Sequence, residues 1–214
     1  MEDMVISIQN AEVSFRKFKL GPVNIDIPRG YIIGVQGENG AGKSTFLRML
    51  MGKYKDMTGK VLLDKRDVRD SREYTFNKIG YVYDRRIFYE VEDVFENEAY
   101  YSDFYHNWDS GIYRDMLKRL NVPLTTRLEK LSKGERVKFQ LAFSTAYKPE
   151  VLLLDEPTAG LDPVFRDDFL KTLQELVADY ETTILLATHL DEDLNKIADY
   201  IIDIENGCCI MWEA

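Results

Sequence analysis

At 214 residues and 45% apolar content the chain can bury a sizeable core, which excludes a disordered polypeptide. Its 37 acidic against 28 basic residues give a formal net charge of -9, and no Lys or Arg run marks a track for a phosphate backbone, so nucleic acid is not an expected partner. No apolar run approaches the ~20 residues that span a bilayer, and the start Met1-Glu2-Asp3 is unlike a signal peptide, so a cytosolic chain is expected.

Residues 4–27 alternate as strands do, with Val5-Ile6-Ser7-Ile8, Val13-Ser14-Phe15 and Val23-Asn24-Ile25-Asp26-Ile27 predicting a small antiparallel sheet. After Pro28-Arg29-Gly30 comes the apolar run Tyr31-Ile32-Ile33-Gly34-Val35, then a glycine-rich stretch, then Phe46, Leu47 and Leu50 at helical spacing. That is strand, loop, helix. Residues 84–149 carry no comparable strand signal and read as several helices. Half of the chain's 13 Tyr, 11 Phe and 2 Trp residues lie between Tyr74 and Tyr113, including Tyr100, Tyr101, Phe104, Tyr105 and Trp108. Their spacing suggests a helix face, either the small core of an inserted helical lobe or a docking patch for another protein. Val151-Leu152-Leu153-Leu154 and Thr183-Ile184-Leu185-Leu186-Ala187 read as strands of a parallel sheet covered on both faces. Between them Phe165, Phe169, Leu173, Leu176 and Tyr180 predict a helix. The adjacent Cys208 and Cys209 are expected as buried small apolar side chains in a reducing compartment.

The stretch Gly37-Glu38-Asn39-Gly40-Ala41-Gly42-Lys43-Ser44-Thr45 fits G-x-x-x-x-G-K-[ST] and stands where a strand hands over to a helix. Glycines let successive backbone N–H groups curve around phosphates, and the following helix presents its positive end to the same anion. Lys43 then neutralises the outer phosphates, and the Ser44 hydroxyl is a ligand for Mg2+. A second metal anchor is expected at Asp155, where an apolar strand ends in Asp155-Glu156. Glu156, one residue further, is placed to polarise the water that attacks the γ-phosphate. The expected substrate is ATP with Mg2+.

Leu131-Ser132-Lys133-Gly134-Glu135 opens a helix-like run, and Ser132 with Glu135 three residues on is also a capping box. This segment resembles the signature motif of ATP-binding cassette proteins, usually L-S-G-G-Q. The resemblance extends along nearly the whole chain. Asn39, Gly40, Ala41, Gly42, Lys43, Ser44 and Thr45 look like that family's phosphate loop, Asp155-Glu156-Pro157-Thr158 like its magnesium strand, and Ala159-Gly160-Leu161-Asp162 like its D-loop. His189 falls where the family keeps its switch histidine, and Asp162 before Pro163 is also a good helix N-cap. Phe15 is the candidate for stacking on adenine, with Phe18 nearby. Two departures stand out: Lys133 and Glu135 replace a glycine and a glutamine of the signature, and Asp84, after Ile79-Gly80-Tyr81-Val82-Tyr83, stands where the family has glutamine. Asp84 can still serve as a hard oxygen ligand for metal or water.

The resemblance implies an α/β fold: a P-loop NTPase core with an N-terminal antiparallel β-subdomain and an inserted α-helical subdomain. It implies one nucleotide-binding domain over residues 1–214, with the core in 1–83 and 150–214 and the helical part in 84–149. It also implies a second cassette, identical or not, whose Ser132 and Gly134 would contact nucleotide held by this chain's Lys43. A transmembrane permease on a separate chain would bring the pair to the cytoplasmic face of the plasma membrane. Asn107-Trp108-Asp109 and Leu131-Ser132-Lys133-Gly134 look like bacterial exporter ATPases for phenol-soluble modulins and other amphipathic peptides or antimicrobials. The alternative is a mechanical or regulatory cassette ATPase acting on ribosomes or DNA.

Overall fold

The computed structural model describes residues 3–83 and 86–214. Strands β1 (Met4–Ser14) and β2 (Lys19–Pro28) pair antiparallel, β3 (Ile32–Gln36) opens a second sheet, and β4 (Thr58–Leu63) with the two-residue β5 (Arg66–Asp67) returns to the first. The first sheet thus has four strands in the order β2-β1-β4-β5. The runs at residues 5–8 and 13–15, expected as separate strands, fall on the single strand β1, which ends at Ser14, one residue before Phe15. It bends where Asn10 takes φ 48° and its backbone N–H donates to Asn24 Oδ1 at 2.9 Å, a local irregularity that shifts the register without ending the strand.

The second sheet has the order β10-β9-β3-β8-β7-β6, from β6 (Ile79–Tyr83), β7 (Val151–Asp155), β8 (Thr183–Ala187), β9 (Tyr200–Glu205) and β10 (Cys208–Glu213). All of its neighbours are parallel except the β9–β10 hairpin. Every residue of β7 and β8 is buried, because the sheet is covered on both sides. Leu153 and Leu185 face the core shared with the first sheet and α1 (Lys43–Leu50). Leu152, Leu154, Ile184 and Leu186 face a second core with α5 (Lys133–Ala146) and α6 (Pro163–Tyr180), and each such leucine or isoleucine contributes about 1.5–3 kcal/mol through burial.

Short α2 (Arg72–Lys78) leads into β6. Between β6 and β7 the described residues hold α3 (Val94–Tyr101), α4 (Ser110–Arg119) and α5 with two 3-10 turns, and no strand. Side-chain caps start all three helices: Asp93 with Glu96 at α3, Asp109 at α4 and Ser132 with Glu135 at α5. Part of the aromatic concentration is the core of this helical region. Phe88, Tyr101, Tyr105, Trp108 and Tyr113 pack around Phe143, while Tyr89, Tyr100 and Phe104 stay exposed.

The cysteine expectation is corrected. Cys208 is exposed and Cys209 half-buried, because successive residues of edge strand β10 point to opposite faces; for the same reason the two thiols cannot face each other. Among the described residues no helix is long and apolar enough to cross a membrane. The last helix, α7 (Asp191–Ile197), lies between β8 and β9.

Candidate functional site

The glycine loop leaves the carboxyl end of β3 and turns directly into α1, the crevice position at which parallel α/β sheets bind ligands. Gly42 is the N-cap of α1 at φ 120°, a conformation side chains resist, and an added Cβ would lie 2.7 Å from a ring carbon of Phe18. Asn39, Gly40 and Ala41 line a cavity of about 460 Å³ together with Phe18 and residues 203–206, at the carboxyl end of β9 and the turn after it. Of the two aromatic candidates, Phe18 lines this cavity. Phe15 is 46% exposed and stacks on Phe18 from outside, with ring centroids 6.2 Å apart. Thr45 follows Ser44 in the first turn of α1.

Lys43 is buried, and its ammonium donates to Gly37 O at 2.7 Å and lies 3.5 Å from Glu156 Oε1. The loop carbonyls thus hold the cation in place. Ser44 Oγ donates to Asp155 Oδ1 at 2.8 Å, joining the start of α1 to the end of β7. A hydroxyl and a carboxylate are hard oxygen donors of the kind Mg2+ takes. The described residues hold no group of three or more His, Cys, Asp or Glu side chains suited to a metal, so Ser44 and Asp155 supply only part of such a shell.

Sequence reasoning missed the residues that hold Asp155 from its other side. Its Oδ2 accepts from Tyr81 Oη at 3.0 Å, with an Arg48 guanidinium nitrogen at 4.0 Å. Tyr81 sits on β6 in register with Leu153, which places it diagonal to Asp155 on the face toward α1. Burial and the facing carboxylate hold the Tyr81 phenol well above its usual range, so it remains a donor. Only the pairing of β6 with β7 could have revealed it.

Glu156 adopts φ 53°, left-handed and strained for a non-glycine residue, and its backbone N–H donates to Ala187 O at 2.9 Å. Its side chain is thereby turned to His189, whose Nδ1 lies 2.7 Å from Glu156 Oε2. The Asp162 side chain caps α6 by accepting from Phe165 N at 3.0 Å. At the start of α5, the Glu135 carboxylate accepts from the Ser132 hydroxyl at 2.7 Å and from its backbone N–H at 2.8 Å. Gly134 packs against Phe165, whose ring would lie 3.0 Å from an added Cβ. Lys43, Ser44, Asp155, Glu156 and His189 therefore form one connected site. Gly134 packs instead with the α6 end, and the hydrogen bonds of the exposed Ser132 go to Glu135, not to the other group. Asp84 lies outside the described residues.

A strand, phosphate loop and helix beside a strand ending in Asp-Glu define a P-loop nucleotide hydrolase. The comparisons narrow this class. A family model described as ABC transporter matches residues 20–159, and the chain belongs to that family as an ATP-binding subunit that hydrolyses ATP with Mg2+. The energy-coupling factor transporter ATP-binding protein EcfA2 of Clostridium tetani is 30% identical, over 97% of this chain and 78% of that protein. The cell division ATP-binding protein FtsE of Bacillus subtilis is 31% identical, over 91% of this chain and 89% of that one. Among solved structures, CbiO1 of Clostridium perfringens, part of the ABC transporter complex CbiONQ, matches with a TM-score of 0.84 at 25% identity, covering 99% of this chain and 89% of that chain. The P-loop fold with an antiparallel sheet and helical elements agrees with these neighbours.

Proposed function

We propose that this chain is one of two cassettes that close head to tail on ATP and so drive a separate transmembrane permease from the cytoplasmic face of the plasma membrane. The observation that carries the reading is the division of the site. The phosphate loop, Asp155, Glu156 and His189 are assembled within the chain, while the anion-binding start of α5 at Ser132 lies apart from them. A second copy turned head to tail brings that helix start to the γ-phosphate.

In this reading Lys43 leaves the Gly37 carbonyl for the outer phosphates, and backbone N–H groups of residues 39–45 hold the rest. Ser44 and Asp155, with Asp84 as a further oxygen donor, hold Mg2+. The ion, when bound, neutralises phosphate charge. Glu156 takes the proton of the attacking water at a carboxylate oxygen, and His189 fixes the orientation of that carboxylate. Ser132 and Gly134 contact the partner's nucleotide, and Asp162 joins them from the D-loop. We take residues 1–83 and 150–214 as the core and 84–149 as the helical unit.

Adenine would stack on Phe18. Phe18→Ala is expected to weaken ATP binding about 10-fold, in line with the worth of base stacking, and Phe15→Ala distinctly less. Nucleotide titration by fluorescence checks the order of the two effects.

The permease fits a groove of about 270 Å³ whose lining includes Phe76, Tyr83, Ile87, Phe143 and Tyr147, with Ile87 45% exposed at its rim. Exposed apolar residues beside the strand that ends at Tyr83 suit a docked helix. Affinity capture from membrane extract should recover a multi-spanning protein, and Ile87→Glu should lower that recovery about 10-fold, as expected for an anchor residue. Recovery of ribosomes or DNA in its place would support the second reading, a mechanical or regulatory ATPase. The exporter-like segments at 107–109 and 131–134 suggest export of peptides or antimicrobials, whereas the relatives named above carry the names of energy-coupling factor transport and cell division. Transport into inside-out against right-side-out vesicles decides the direction.

A further inference from the structure

Three segments that carry site residues each send one side chain to a common point in the interior. Thr158 follows Glu156 by two positions, Arg166 lies in the first turn of α6 after Asp162, and Asp193 lies in the first turn of α7 after His189. Asp193 is completely buried, at 0% exposure. Its Oδ2 accepts from Thr158 Oγ1 at 2.7 Å, and its Oδ1 faces Arg166 Nε at 3.2 Å. The second contact is matched in charge but not aligned: neither Arg166 Nε nor Asp193 Oδ1 has a hydrogen-bond partner. The other end of the guanidinium reaches outward to Glu192 at 3.3 Å.

A carboxylate is costly to bury, and apolar side chains of similar volume usually serve packing as well or better. Packing alone therefore does not account for Asp193. Its connections do. Thr158 belongs to the turn that holds Glu156 at its strained φ of 53°. Phe165, next to Arg166, is the residue against which Gly134 packs, and its ring lies 4.2 Å from Lys138 Nζ on α5.

We propose that Asp193 is a positioning residue: through Thr158 it holds the turn that presents Glu156 to His189, and through Arg166 it ties that turn to the α6 end beneath Gly134. A load on the signature helix, such as a partner's nucleotide, is thereby felt at the Glu156–His189 contact. This rests on the reading above, in which Glu156 and His189 act together in hydrolysis.

The test is a double-mutant cycle on ATP turnover by the full chain. Asp193→Asn should lower kcat about 10-fold while KM for ATP stays within about 2-fold, because Lys43 and Ser44 are untouched. In a His189→Ala background the same substitution should add less than about 2-fold, because both act on one contact. An undiminished effect in that background would overturn the proposal. If His189→Ala itself left turnover intact, the underlying reading would be the one to fall. To separate positioning from folding, Arg166→Met with Asp193→Leu replaces the buried pair by apolar groups and should keep the thermal midpoint while still losing turnover. Full turnover in that folded double variant would equally overturn the proposal. A further readout is the His189 ring 15N resonances, which should move in Asp193→Asn and stay in place if the residue only packs.

Discussion

Glu156→Gln is expected to cut ATP turnover by at least about 100-fold while ATP stays bound, because a positioned general base contributes that much and more. The two side chains have the same shape, so the turn at φ 53° and the Glu156 N–H bond to Ala187 O at 2.9 Å are kept. What is lost is the carboxylate that we propose takes a proton from water, and that lies 2.7 Å from His189 Nδ1. Lys43 loses a facing charge 3.5 Å away, which favours its move to the phosphates. The variant should therefore retain nucleotide and accumulate as a dimer, read by phosphate release, nucleotide retention and sedimentation. Undiminished turnover would remove Glu156 from the role of base.

The second large effect concerns which subunit supplies what. In a dimer of two copies, a Lys43→Ala defect in one subunit and a Ser132→Arg defect in the other should fall in the same composite site and leave about half the turnover, since two-fold symmetry leaves the other site whole. Both defects in one subunit should spoil both sites. Independent sites give the opposite pattern, with activity surviving when one subunit carries both changes. Differentially tagged, mixed dimers separate the outcomes. The Ser132 side of this prediction has a physical requirement: the Glu135 carboxylate now holds the Ser132 hydroxyl at 2.7 Å and its N–H at 2.8 Å, so a phosphate must displace it. Where the family usually has glutamine, this chain has a negative charge to move aside.

Much of the local design was legible in the residues. The phosphate loop is contiguous from Gly37 to Thr45, and its anion-binding power comes from successive backbone groups and the helix behind them, so short-range pattern suffices. Capping at Ser132 and Asp162 is likewise written within three residues. The fully apolar runs of β7 and β8 announced a parallel sheet covered on both faces. One local signal was passed over: Asn206-Gly207, with φ 49° and 79°, turns the β9–β10 hairpin and is the pairing expected of a tight turn.

Other features depend on the packing of distant segments. Ser44 meets Asp155 across 111 positions, and Tyr81 meets the same carboxylate across 74. That Phe18 and not Phe15 lines the loop cavity follows from how the β1–β2 connection lies on Gly42. The burial of Asp193 against Thr158 and Arg166 needs three chain segments at once. The sequence by itself determined the phosphate-binding chemistry, because backbone curvature and helix polarity are local properties. Only the tertiary structure decided which carboxylates, rings and hydroxyls surround that loop, because strand register and helix packing set those contacts between residues remote in the chain.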